Sequence, residues 1–188
     1  MLQNNIRLGV DCLKSTGVVR RIDELGRIVI PKEIRRNLKI RDGENIEIFV
    51  DMDGIILKKY SKIEDSIEYA KKICSLLSKI TNSSVLITDR DYIIAVEGSF
   101  FAAVNGEAIS KDLTMIVDSR DIVLSPSEET ISITNGLTLT GFFCILPIIT
   151  SADSIGLVLV YSNEKNLIPE KSLTQLASEL IAASVDVA

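Results

Sequence analysis

The sequence predicts an α+β chain in two parts. A short β-β-α-β-β module occupies residues 14–60, and a larger domain at 61–188 holds a central antiparallel sheet flanked by helices. Three observations predict this. Charge is segregated, with nine basic residues against three acids from Lys14 to Arg41, a local +6 on a chain of net charge −5. Four short β-branched runs and one short helical run, parted by turn residues, fill the first part. Two amphipathic segments, 61–80 and 169–185, bracket apolar runs of strand character in the second.

In the first module, Gly17 to Ile22 reads as a strand and Asp23-Glu24-Leu25-Gly26 as a turn in which Gly26 takes a positive φ. Arg27 to Ile30 is a second strand. Pro31 opens a short helix, where its missing N–H costs nothing, and Glu33 suits the positive helix end. Ile34 and Leu38, one turn apart, are expected to face inward. Lys32, Arg35, Arg36 and Lys39 cover the outer side. Asn45 to Val50 and Gly54 to Lys59 form a hairpin around Asp51-Met52-Asp53-Gly54, with Asp53-Gly54 as its tight-turn pair. A module of about 47 residues without a disulfide or metal buries too little surface to stand alone, so an obligate dimer of it is expected.

The second part opens with a capping box, Ser61-Lys62-Ile63-Glu64. Ile63, Ile67, Ala70, Cys74 and Leu77 then follow at steps of 4, 3, 4 and 3, with Ile73, Leu76 and Ile80 widening the stripe. The spacing suits either a helix lying on a sheet or one that also carries a dimer interface. Strands are expected at Val85–Thr88, Tyr92–Val96, Asp121–Leu124, Thr130–Thr134, Phe142–Ile149 and Ile155–Tyr161. A helix is expected at Glu107–Val117. The last helix, Pro169–Val185, is read with Leu173, Leu176, Ala177, Leu180, Ile181 and Ser184 on one side. Leu137 to Val160 is apolar enough to suggest a membrane span. Pro147, Asp153 and its β-branched residues instead favour two strands joined by the turn 150–154.

Apolar residues make up 46% of the 188, with a mean hydropathy of +0.27, which suits a packed core. Histidine is absent, and the three cysteines (Cys12, Cys74, Cys144) form no C-x-x-C pair. That removes Ser–His and Cys–His nucleophilic machinery and the common zinc sets. No phosphate-binding glycine loop is present. Neither enzymatic activity nor a cofactor is expected. Cys74 and Cys144 lie in apolar runs and read as buried, reduced thiols. Residues 1–13 read as a flexible tail, and Leu13-Lys14-Ser15-Thr16-Gly17 has the look of a natural N-terminus.

A basic module on an acidic chain is the electrostatic footprint of nucleic-acid binding. Arg20, Arg21, Arg27, Arg35 and Arg36, with Lys32, are the candidate DNA-binding residues. Arginine is permanently charged and its planar fork grips phosphate or a guanine edge with two hydrogen bonds. Asp23 or Glu24 is placed to hold Arg27 extended. Phe100 and Phe101, in a loop at 98–106, are candidates to cover a small-molecule pocket, although filling the core is the commoner use of such residues. Ser125-Pro126-Ser127-Glu128 reads as a turn.

The run STGVVRRIDELGRIVIPKEIRRNLKIRDGENIEIFVDMDGIILKKY resembles the DNA-binding head of the AbrB transition-state regulators nearly end to end, with DELGRIVIPKEIRR as its most specific part. The longer chain is similar to sporulation regulators that join such a head to a C-terminal GAF-like domain; here the match rests on helix placement and the strand pattern ending in IGLVLVYSNE. The resemblance implies a swapped-hairpin β-barrel built by two interleaved chains. It implies that Arg20, Arg21, Arg27, Arg35, Arg36 and Lys32 face double-stranded DNA. It also implies that the helices at 61–80 and 169–185 bundle chains into a dimer or homotetramer. Function would be repression and activation of late sporulation genes in the cytoplasm of the forespore, with no membrane partner. The NKFDE signature of nucleotide-sensing GAF domains is missing, so an effector of the GAF-like domain is left open. A toxin-binding antitoxin shares this kind of head and is the alternative.

Overall fold

The computed structural model describes residues 16–51, 54–60, 66–151, 153–164 and 171–186. The tail with Cys12, Lys14, the capping box at 61–64, the hairpin turn residue Asp53 and the helix start at Pro169 lie outside the described residues. By packing, the chain divides into two compact units, Met1–Glu44 and Asn45–Ala188.

In the first unit, residues 16–30 run extended but form no strand among the described residues. The strands expected at 17–22 and 27–30 are therefore absent from the single chain. A strand exists only through its ladder; across the turn that joins these two segments, Asp23 N–H bonds Arg27 O at 3.2 Å. Their apolar side chains stay uncovered, with Val19 86% and Val29 72% exposed. Helix α1 (Lys32–Asn37) follows Pro31 and buries no residue fully. Ile34 is half-buried, but Leu38 is exposed rather than turned inward.

The second unit begins with β1 (Ile46–Asp51) and β2 (Gly54–Lys59), paired antiparallel from Ile46↔Lys59 to Asp51↔Gly54. Gly54 thus already belongs to the ladder, and the connection is residues 52–53. Ile48, Val50, Ile55 and Leu57 alternate onto one face of this hairpin and are all exposed. Helix α2 (Ile67–Thr81) leads into an antiparallel sheet of order β4-β3-β7-β6-β5. Its strands are β3 (Ser84–Asp89), β4 (Ile93–Glu97), β5 (Val123–Ser132), β6 (Thr138–Ile149) and β7 (Ser154–Ser162). Helices α2 and α4 (Lys171–Asp186) pack on one face and α3 (Lys111–Ser119) on the other. Two cores result. One gathers Ala70, Cys74, Leu77, Val158 and Ile181; the other gathers Leu86, Phe101, Leu113, Ile145 and Leu159. β7 is buried along its whole length because both faces are covered. Gly156 is required there, since a Cβ would sit 1.9 Å from Thr88 O.

Several expectations change. Helix α3 starts at Lys111, not Glu107. Residues 107–109 instead bond to the β3–β4 connection and β4 (Ile93 N–H to Glu107 O, 2.9 Å; Ile109 N–H to Asp91 O, 3.0 Å), and Ser110 caps the helix by accepting from Leu113 N–H at 3.2 Å. The strands expected at 121–124 and 130–134 form the single β5. Ser125 to Glu128 is a bulge within it rather than a turn, with Ser125 Oγ donating to Ser127 O at 2.5 Å. On α2 the heptad positions Ala70, Cys74 and Leu77 face the sheet, whereas Leu76 and Ile80 are exposed. On α4 the buried face is Thr174, Ala177, Ser178, Ile181 and Ala182, while Leu176 and Leu180 point outward. Small side chains let this helix sit close to β6, where Ser178 Oγ donates to Pro147 O at 2.6 Å. Pro147 pairs with Leu157 of β7 just beyond the last β5–β6 pair, Val123↔Ile145, where β5 begins. Residues 142–160 form β6, its turn and β7, as expected. No helix among the described residues is long and apolar enough to cross a membrane.

Candidate nucleic-acid interface

All six candidate cations lie in the first unit, on the extended segment, the turn and α1. The turn is built by Asp23. Its Oδ1 accepts the N–H groups of Leu25 at 3.0 Å and Arg27 at 2.8 Å, while Oδ2 accepts Arg27 Nε at 2.7 Å. Gly26 closes the turn at φ +76°, a conformation that glycine takes without strain. Three donors on one carboxylate favour its charged form. The backbone bond from Arg27, then its side chain, hold Asp23 below the usual carboxylate range. Of the two acids named for holding Arg27, Asp23 does it. Arg27 nevertheless leaves 72% of its side chain exposed, so it is oriented rather than sequestered. Arg20 Nη1 donates to Val19 O at 3.1 Å.

The end of α1 is equally specific. Lys39 N–H bonds Arg36 O at 3.2 Å and Ile40 N–H bonds Arg35 O at 2.7 Å, with Lys39 itself at φ +53°. This is a Schellman ending with lysine in the place glycine usually takes. It turns the chain back so that Asp42 meets Arg35, Nη1 to Oδ1 at 2.5 Å. Arg35 is half-buried and its Nε is buried without a partner among the described residues. Arg21, Lys32 and Arg36 are exposed, and no ion pair holds them among the described residues. The six candidates thus sort into three open cations, one tied to its neighbour's carbonyl, one aimed by Asp23 and one held by Asp42.

Sequence reasoning missed Asp42 and the cap formed by Glu44, whose Oε2 accepts Arg41 N–H at 2.8 Å. The run Arg41-Asp42-Gly43-Glu44 held the signal. An Asx-Gly turn directly after a helix brings its acids back toward the helix end.

The second pair of candidates lies in the other unit. Phe101 is fully buried in the α3-side core, and Phe100 packs edge-on to Tyr161 with ring centroids 4.9 Å apart. Tyr161 OH donates to Thr140 O at 2.8 Å. This is core packing of aromatic rings. Cys74 and Cys144 are buried, as expected. Burial pushes the Cys74 thiol up to about 12 and raises that of Cys144, so both are protonated and unreactive.

In comparison with known proteins, two families match successive parts of the chain. Residues 66–185 match the family described as stage V sporulation protein T C-terminal, transcription factor, and residues 19–65 match the antidote-toxin recognition MazE family of bacterial antitoxins. Stage V sporulation protein T of Bacillus subtilis is 43% identical over 157 residues, covering 82% of this chain and 88% of the relative. Transition state regulatory protein AbrB of the same organism is 37% identical over 87 residues, covering 46% of this chain and 82% of AbrB. The GAF domain from an Acinetobacter phosphoenolpyruvate-protein phosphotransferase covers 70% of this chain and 86% of that one, at 10% identity and a TM-score of 0.50, a likeness of fold alone. With its C-terminal two thirds and most of its length matched in this way, the chain belongs to the stage V sporulation protein T family of transcription factors.

Proposed function

We propose that the chain regulates sporulation genes by binding double-stranded DNA through a module spanning residues 14–60, with Arg20, Arg21, Arg27, Lys32, Arg35 and Arg36 as the contacting residues. The carrying observation is the set of exposed cations Arg21, Lys32 and Arg36, beside an arginine that Asp23 orients but leaves exposed. Arg35, tied to Asp42, must exchange that partner for phosphate or serve to fix α1. Two copies of the module form one head. The uncovered apolar residues of 16–30 and of the β1–β2 face support this, because such surface is normally buried against a partner. The exposed Leu76, Ile80, Leu176 and Leu180 give α2 and α4 an outer apolar face for pairing heads into a tetramer. Such a protein works in the cytoplasm, by family resemblance in the forespore, and is not an enzyme. The packed core around Phe101 leaves an effector of the GAF-like domain without an identified seat. The antitoxin reading is not favoured, because the chain continues beyond residue 65 into a folded domain matched by the sporulation family.

The test is fluorescence anisotropy on promoter duplexes across a salt series. Neutralising about six to eight phosphates gives a log–log slope of roughly −5 to −7. Arg20/Arg27/Arg35→Ala, shown by scattering to remain a folded oligomer, should lose that slope. Weak, salt-insensitive binding by both proteins would remove DNA regulation through this module.

A further inference from the structure

Lys59, the last residue of β2, places its ammonium on the carboxylate of Asp91 in the β3–β4 connection. The Asp91 side chain is 6% exposed. A carboxylate so far removed from water needs a counter-charge. The connection that carries it is rigid. Asp89 Oδ1 accepts the N–H groups of Asp91 at 2.7 Å and Tyr92 at 2.6 Å, and Asp91 O accepts Ile109 N–H at 3.0 Å. Between these two acids, Arg90 bonds Asp153 Oδ2 in the β6–β7 turn at 2.6 Å and Asp118 Oδ1 on α3 at 2.9 Å. Arg90 and Asp91 therefore join the hairpin, α3 and the neighbouring β6–β7 turn at one end of the sheet. On the hairpin side, Lys59 is held by its register with Ile46 and by the bond from Tyr60 N–H to Asn45 O at 3.0 Å.

We infer that the Lys59–Asp91 pair is a lock that sets the direction in which the β1–β2 hairpin leaves the sheet, and through it the spacing of DNA-binding heads on a duplex with two sites. The second half of this inference rests on the DNA-binding reading; the first half does not. Lys59 is a positioning residue, acting on DNA only through the hairpin.

The test uses the full chain with Cys12→Ser and nitroxide labels on Glu47→Cys in β1 and Asp112→Cys on α3, diluted with unlabelled protein. Pulsed electron resonance should give a narrow distance distribution with Lys59 in place and a broadened one in Lys59→Met. Reversal of the pair, Lys59→Asp with Asp91→Lys, should restore it. Lys59→Gln gives the same reading if the Met variant does not fold. An unchanged width in a folded Lys59 variant overturns the lock. On DNA, Lys59→Met should bind a one-site duplex as the parent does and a two-site duplex about tenfold more weakly, because only avidity is lost. Equal weakening on both duplexes would overturn the positioning role. Failure of the parent protein to bind any duplex would overturn the DNA-binding reading and leave the distance result standing.

Discussion

The two ends of this chain bury their apolar residues in opposite ways. In the sheet at 84–162, β7 is covered on both faces and Leu157, Val158, Leu159 and Val160 are inaccessible. In residues 16–30 and on the β1–β2 hairpin, side chains of the same kind lie open, with Val50 82% exposed. Apolar content does not separate the regions; chain length and the availability of pairing partners do. About 120 residues can wrap a sheet with helices, whereas a few dozen cannot close a core. The sheet and its helices close their cores within one chain, whereas residues 16–30 and the β1–β2 face leave their apolar side chains open.

The sharpest way to break this contrast is inside the closed sheet. Gly156→Val should force β7 from β3 and cost several kcal/mol, on the scale of the largest single-site effects. Circular dichroism melts would show loss of the folded domain at any protein concentration. Next in size, Val50→Lys should leave that domain folded but split the oligomer, seen as a fall in mass by analytical ultracentrifugation. An unchanged mass would mean that the hairpin face is not an interface. Met115→Lys, at an apolar side chain also exposed on α3, should leave the mass unchanged and the stability within about 0.5 kcal/mol. Thiol chemistry gives a finer reading. Cys74, with its thiol at about 12, should resist iodoacetamide at pH 8 until the domain unfolds. The smallest effect is expected at Asp23. Its carboxyl is depressed in the folded chain, so its contribution is present above the ordinary carboxylate range and fades as pH falls through the folded value. The amide resonances of Leu25 and Arg27 should shift on acidification below that range, and Asp23→Asn should abolish the shift.

The sequence disclosed the sheet strands, the hairpin and α2 because β-branched runs and heptad steps are local signals. It failed where a competing partner decides the outcome. Residues 107–109 read as helix by propensity, but their backbone groups bond to the β3–β4 connection and β4, and Ser110 starts the helix. On α4 the larger Leu176 and Leu180 suggested the buried side, yet close approach to β6 selects Thr174, Ala177 and Ser178. The candidate interface was legible as a charge excess. What the sequence withheld is the division of labour among the cations, since the Arg35–Asp42 pair depends on a left-handed lysine that no composition rule foretells.

Pro147 has one more consequence. Beyond Ile145, β6 has outrun β5 and would offer an open backbone edge to any passing strand. Proline removes one donor from that stretch, and the Ser178 hydroxyl occupies the carbonyl of the same residue. Together they form an end-stop that blunts this stretch of edge once α4 has packed against β6.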